Sequence, residues 1–118
     1  KLDKAVQARV LLATSLRPND KPELVVTTMK DGIWRLTPAA GDALWTPSRI
    51  DADSSGFEHA ATAYDIDSDG LNELYVTADD QDEVRQYVWS ADQFKRTVIT
   101  TLEKSDITWN IMGCGRNY

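Results

Sequence analysis

One short stretch of the chain concentrates the residues that could do chemistry. "DIDSDGLNE" (residues 65–73) places carboxylates at positions 1, 3, 5 and 9, with Gly70 at position 6. Carboxylates this close repel one another unless water or a cation offsets the repulsion. A loop wrapped around an ion turns every second side chain inward, and oxygen ligands at this density suit Ca²⁺ better than Mg²⁺ or Zn²⁺. The pattern therefore favours a calcium loop over a solvated acidic turn.

The loop differs from an EF-hand in two respects. An EF-hand needs a bidentate Glu at position 12, where this chain has Val76. Its flanks should be helices, yet "AATAYDI" and "ELYVTA" have the short, β-branched character of strands. We therefore predict that the loop joins two strands of a sheet.

The elements that position this loop repeat along the chain. A shift of 50 residues places residues 8–28 over residues 58–78, and Glu23 then falls on Glu73. After each segment come a polar turn, an aromatic-bearing strand and another strand candidate, and no stretch keeps a helical period. Four-strand units at this spacing are typical of propeller blades. We predict an all-β fold with two four-stranded antiparallel blades, one in residues 1–50 and one in residues 51–105.

The last segment, residues 106–118, resembles the start of a third blade. Closed propellers use four to eight blades, so two blades and a strand predict part of a larger or oligomeric propeller. Either other copies close the ring, with three copies giving six blades and four giving eight, or the remaining blades belong to a longer chain. We expect residues 107–112 to pair as a β-strand, with Trp109 or its neighbours Ile107 and Ile111 packed on an adjacent blade.

The acidic loop resembles the calcium loop of FG-GAP/VCBS-type repeats, the integrin-α-like β-propellers. Their pattern is roughly D-x-D-x-D-G-x-x-D/E-L before a β-branched run, and the similarity covers residues 58–100 well and residues 8–50 weakly. The resemblance implies a propeller fold and an extracellular, periplasmic or cell-surface location. It also implies a calcium ligand set, which comprises Asp65, Asp67, Asp69, the main-chain carbonyl of Leu71, and Glu73.

The first unit departs from this pattern. Its matching positions read Ser15, Arg17, Asn19, Lys21 and Glu23. We expect that loop to be metal-free, with Arg17 or Lys21 pairing with Glu23 in place of a cation. The phrase FG-GAP itself is absent, which places the chain on the divergent, VCBS-like side of the family.

Composition and charge narrow the classes of partner. Residues 1–50 carry eight Lys/Arg against five Asp/Glu, a net +3, and residues 51–118 carry five against fourteen, a net −9. The acidic half argues against nucleic acid, which needs a basic stripe. No apolar run is long enough to span a bilayer. Because the chain starts at Lys1, we expect a processed or partial product whose targeting signal has been removed.

The other reactive residue types lack a setting for catalysis. His59 is the only histidine and has no paired nucleophile nearby, and Cys114 is expected to be a buried or interface thiol. Trp34, Trp45, Trp89 and Trp109 are expected to fill the space between stacked sheets, although an exposed pair could stack on a sugar. We predict a non-catalytic calcium-binding module for recognition or assembly. A lectin-like propeller and a purely structural subunit remain as alternatives.

Overall fold

Two four-stranded antiparallel sheets make up the protein. The computed structural model describes residues 7–18, 21–53, 57–58, 60–104, 108 and 110–112. In each sheet, strands that follow one another in sequence are hydrogen-bonded neighbours. The first sheet contains β1 (Ala8–Thr14), β2 (Glu23–Thr28), β3 (Ile33–Thr37) and β4 (Thr46–Asp51); the second contains β5 (Ala61–Tyr64), β6 (Glu73–Ala78), β7 (Glu83–Ser90) and β8 (Gln93–Thr101). The all-β prediction is confirmed, and closure into a propeller stays a prediction.

Strand register reproduces the repeat seen in the sequence. Glu23 and Glu73 are the first residues of β2 and β6. The strand pairs before and after the two loops match residue for residue at a 50-residue shift, with Ala13 opposite Leu24 and Thr14 opposite Glu23 in sheet one, and Ala63 opposite Leu74 and Tyr64 opposite Glu73 in sheet two. The loops at residues 15–22 and 65–72 therefore hold equivalent places in the two sheets.

The hydrophobic core lies between the two sheets. Side chains alternate between faces along each strand, so one set from each sheet meets the other. One cluster joins Val25 and Ile33 of sheet one to Leu74, Val76 and Tyr87 of sheet two, all at most 1% exposed. We call these the inner faces and the opposite sides the outer faces. Burial of the inner faces is what holds the sheets together.

Polar contacts also tie sheet one to sheet two. The Tyr87 hydroxyl donates to Asp51 Oδ2 at 2.7 Å, and Arg96 donates to the same oxygen at 3.1 Å. Gly32, with φ of +77°, lets β4 approach closely, because a Cβ there would lie 2.0 Å from the carbonyl oxygen of Asp51. The bonds of Asp51 to Tyr87 and Arg96 join residues 36 and 45 positions apart, and no local sequence pattern predicted them.

The C-terminal segment is described only in part. Thr108 and residues 110–112 are not in a strand, and the Thr108 amide donates to Asp79 Oδ2 at 2.9 Å. Ile107, Trp109 and Cys114 lie outside the described residues, as does His59. The closing strand therefore stays a prediction. Among the described residues, no helix has the length and apolar character that crossing a bilayer requires.

Candidate metal site

The acidic loop connects β5 to β6 and folds its carboxylates toward one point. Asp65 directly follows β5, and Glu73 opens β6. Ser68 and Gly70 have positive φ of 62° and 94°, and these left-handed residues reverse the chain. Asp65, Asp67, Asp69 and Glu73 each offer one oxygen, and the four oxygens lie within 4.8 Å of one another. Within the described part of the chain, this is the one group of its kind.

Main-chain amides of the loop hold the aspartates in place. The Asp69 amide donates to Asp65 Oδ1 and to Asp67 Oδ1, both at 3.1 Å. The Gly70 amide donates to Asp65 Oδ2 at 3.0 Å, and the Leu71 amide donates to Asp69 Oδ1 at 2.8 Å. These bonds orient the side chains, and the amide dipoles offset part of the carboxylate repulsion. The cluster is preorganised by its own backbone.

Glu73 anchors the base of the cluster. Its side chain is buried, and Oε2 accepts the Ile66 amide at 2.9 Å and the Tyr75 hydroxyl at 3.1 Å. Burial raises the pKa of Tyr75, an effect that outweighs the hydrogen bond from Gln86, and Glu73 raises that pKa further. Tyr75 therefore stays protonated and acts as a donor to the carboxylate.

The donor set fits a hard divalent cation. All four side-chain ligands are carboxylate oxygens, which Ca²⁺ and Mg²⁺ prefer, whereas zinc favours nitrogen and sulfur. The structure brings together the four side chains that the sequence singled out. The carbonyl of Leu71 as a fifth ligand, and calcium as the ion, stay predictions.

Asn72, the last residue of the loop, docks the loop onto sheet one. Its amide donates to the Ser15 carbonyl at 3.0 Å, and its Nδ2 donates to Thr14 Oγ1 at 2.9 Å. Sequence reasoning missed this role, because the bond to Thr14 joins residues 58 positions apart and no local pattern links them. Two hydrogen bonds therefore join the candidate metal loop to the end of β1 and to the start of the equivalent loop in the first unit.

In that equivalent loop, an ion pair replaces the acidic cluster. Arg17 donates from Nε at 3.0 Å to Oε2 of Glu23 and from Nη2 at 2.7 Å to Oε1, a bidentate pair. Thr37 donates to Oε1 at 2.8 Å, and Arg35 Nε lies 3.7 Å from the same atom. Burial by itself raises the pKa of Glu23, but Arg17, Thr37 and Arg35 outweigh it and hold that pKa below its ordinary value. Of the two partners predicted for Glu23, Arg17 and Lys21, the structure shows Arg17 in this bidentate pair.

The tryptophans agree only in part with the prediction that they fill the space between stacked sheets. Trp89 lies between the sheets, with the guanidinium of Arg17 5.5 Å from its ring centre. Trp45 is 42% exposed instead of filling such a space. Asp79, in the turn after β6, is 7% exposed, and its Oδ2 accepts a hydrogen bond from the Thr108 amide.

Comparison with other proteins adds no assignment. No model of a protein family, no curated protein and no solved structure matches this chain. The likeness of the acidic loop to FG-GAP/VCBS repeats therefore stays a resemblance. The functional argument depends on the geometry of the two loops and of the sheets that carry them.

Proposed function

We propose that the chain is a non-catalytic, calcium-binding β-propeller module that serves recognition or assembly in an extracytoplasmic complex. The observation that supports this most directly is the convergence of Asp65, Asp67, Asp69 and Glu73 in a loop that orients them with its own amides. A propeller blade supplies the same four-stranded meander that both sheets have. The acidic second half of the chain is compatible with cation binding.

In this proposal, the ion has a structural role. Bound calcium would neutralise the carboxylates of the half-buried Asp65, the exposed Asp67 and Asp69, and the buried Glu73. It would thereby stabilise the connection from β5 to β6 and, through Asn72, the contact of this loop with sheet one. The sequence contains no nucleophile motif that would give the site a reaction to perform.

Calorimetric titration tests the proposal. We expect one Ca²⁺ per chain, with weaker uptake of Mg²⁺, because the site offers many oxygens without demanding a strict octahedron. Asp67→Asn should weaken calcium binding by about tenfold or more, a difference of roughly 1.4 kcal/mol. The matched control is Asp92→Asn, an exposed residue of the β7–β8 hairpin in which asparagine tolerates the φ of 61°. No calcium uptake by the wild-type chain would refute the proposal.

One exposed pair supports the lectin-like alternative. Leu44 and Trp45, in the connection from β3 to β4, are 85% and 42% exposed, and an indole ring in water can stack on a sugar. Binding to a glycan array that Trp45→Ala abolishes would favour this reading. Constant copurification with a larger complex, without glycan binding, would favour a purely structural subunit.

A further inference from the structure

Equivalent loop residues have opposite environments in the two units. Leu16 packs into the core between the sheets and is 2% exposed. Its equivalent at the 50-residue shift is Ile66, which is 64% exposed. The second unit therefore presents to solvent an apolar residue that the first unit buries against a neighbouring sheet.

The same asymmetry appears on the other side of the molecule. Ala61 of sheet two is 7% exposed, whereas its equivalent Leu11 in sheet one is 62% exposed. Leu11 pairs across the strands with Val26, which pairs with Trp34, so all three lie on the outer face of sheet one. That outer face is thus the counterpart of the face that sheet two buries.

On the outer face of sheet two lies an apolar groove of about 350 Å³. Its lining residues are almost all apolar or aromatic: Tyr64, Ile66, Tyr75, Ile99, Ile111 and Met112, together with Thr62. Ile66 reaches the groove from the candidate metal loop, and Tyr75 bonds to Glu73 below it. At the 50-residue shift, this outer face of sheet two corresponds to the inner face of sheet one. Within the chain, sheet two covers that inner face.

We infer that a second copy of the chain docks head-to-tail, with the outer face of its sheet one on the outer face of sheet two of the first copy. The arrangement is the one that the two sheets already have within a chain, so it continues an existing interface. The charges favour it as well, because the half that carries +3 meets the half that carries −9. This inference deepens the assembly part of the proposed function and names the partner.

The contact between copies would lack a main-chain hydrogen bond that the internal contact has. Within the chain, the Asn72 amide donates to the Ser15 carbonyl. At the 50-residue shift, the residue that would approach the Asp65 carbonyl is Pro22, which has no amide hydrogen. Association between copies should therefore be weaker than the internal contact, and reversible.

Sedimentation velocity over a concentration series tests the head-to-tail contact. We expect the wild-type chain to associate reversibly, and Leu11→Arg and Ile99→Arg each to raise the dissociation constant by about tenfold or more, since each buries an unpaired charge in one face. Both side chains are at least half exposed, so circular dichroism should show unchanged folding. Leu44→Arg, on the exposed β3–β4 connection, is the control and should associate like wild type.

Mixing the two variants distinguishes a head-to-tail contact from a two-fold one. Each variant keeps the face that the other has lost, so an equimolar mixture should form a dimer and stop there. Pro22→Asn should lower the wild-type dissociation constant, because it supplies the missing donor. A wild-type chain that stays monomeric, or a mixture that stays monomeric, would overturn the inference.

Calcium uptake is measured separately, on the Leu11→Arg variant. This variant keeps the complete metal loop but lacks one docking face. Uptake by this variant together with a monomeric wild type would refute the docking and leave the calcium proposal standing. Association without calcium uptake would support the docking and refute the calcium proposal.

Discussion

The connections from β1 to β2 and from β5 to β6 hold equivalent places in the two sheets but carry different charges. Both lead into a strand that opens with a buried glutamate, Glu23 or Glu73. In the first loop, the glutamate accepts hydrogen bonds from the guanidinium of Arg17. In the second, the position of Arg17 is taken by Asp67, and three aspartates join the glutamate. In the first loop the cation belongs to the chain itself, whereas the second loop has a group of carboxylates that could hold a metal ion.

The comparison teaches why one buried carboxylate persists while its neighbours change. A buried glutamate needs donors or a positive charge, and either an arginine or a metal ion satisfies that need. An arginine is always present, whereas a metal contributes only at sufficient concentration. The first unit should therefore be stable without calcium, and the second should depend on it.

The largest expected effect comes from removal of the internal cation. Arg17→Met keeps the length of the side chain but leaves Glu23 without its bidentate partner. We expect a loss of about 3 kcal/mol in the free energy of unfolding, at the low end for a broken buried pair because Thr37 and Arg35 remain. Urea denaturation measures it, with the exposed Lys95→Met as control. A loss no larger than that of the control would break the comparison.

Calcium should act on the second unit alone. At a hundredfold excess over its dissociation constant, calcium should stabilise the wild-type chain by about 2.7 kcal/mol relative to EDTA. Glu73→Gln should reduce this gain, because it removes a charged ligand, while Glu23→Gln should preserve it. Urea midpoints with and without EDTA measure both variants. Equal calcium gains in the two variants would show that the loops do not differ as proposed.

Loss of the Asn72 side chain, which links the two loops, should cost less stability than the loss of Arg17 or of calcium. Asn72→Ala removes the side-chain bond to Thr14 but keeps the main-chain bond to Ser15. We expect a cost of about 1 kcal/mol, which is usual for one hydrogen bond. Asn110→Ala, at an exposed position, is the matched control in the same thermal or urea denaturation. Identical results for the two variants would mean that Asn72 does not hold the loops together.

The smallest effect concerns pH and sharpens the role of Glu23. Its pKa in the folded chain is below the ordinary value of 4.5, so on acidification the unfolded chain takes up this proton first. The stability that Glu23 contributes is therefore complete above pH 4.5 and is lost as pH falls through its lower, folded pKa. Measured in EDTA, the difference in unfolding free energy between wild type and Glu23→Gln should shrink below that pH. A difference that grows on acidification would contradict the assigned direction.

Local patterns in the sequence were sufficient for the β class, the repeat and the acidic cluster. Alternation and turn signals are properties of neighbouring residues, and they predicted the four strands of each sheet. The spacing of Asp65, Asp67 and Asp69 likewise acts within one loop, and the structure brings these side chains together with Glu73. Even the partner of Glu23 could be narrowed in advance to Arg17 or Lys21, because both lie within six residues of it, and the structure shows the pair with Arg17.

The tertiary structure alone decided which faces meet and which polar groups they bury. Asp51 accepts hydrogen bonds from Tyr87 and Arg96, which lie 36 and 45 residues away, and the buried Asp79 accepts one from the Thr108 amide. No spacing rule reaches that far, because such pairs form only when the sheets pack. The same packing buries Leu16 and leaves Ile66 in water, although both occupy one position of the repeat. The sequence by itself determined two repeated sheets and one acidic loop. The packing of the two sheets determined which face of each sheet is buried within the chain and which stays exposed.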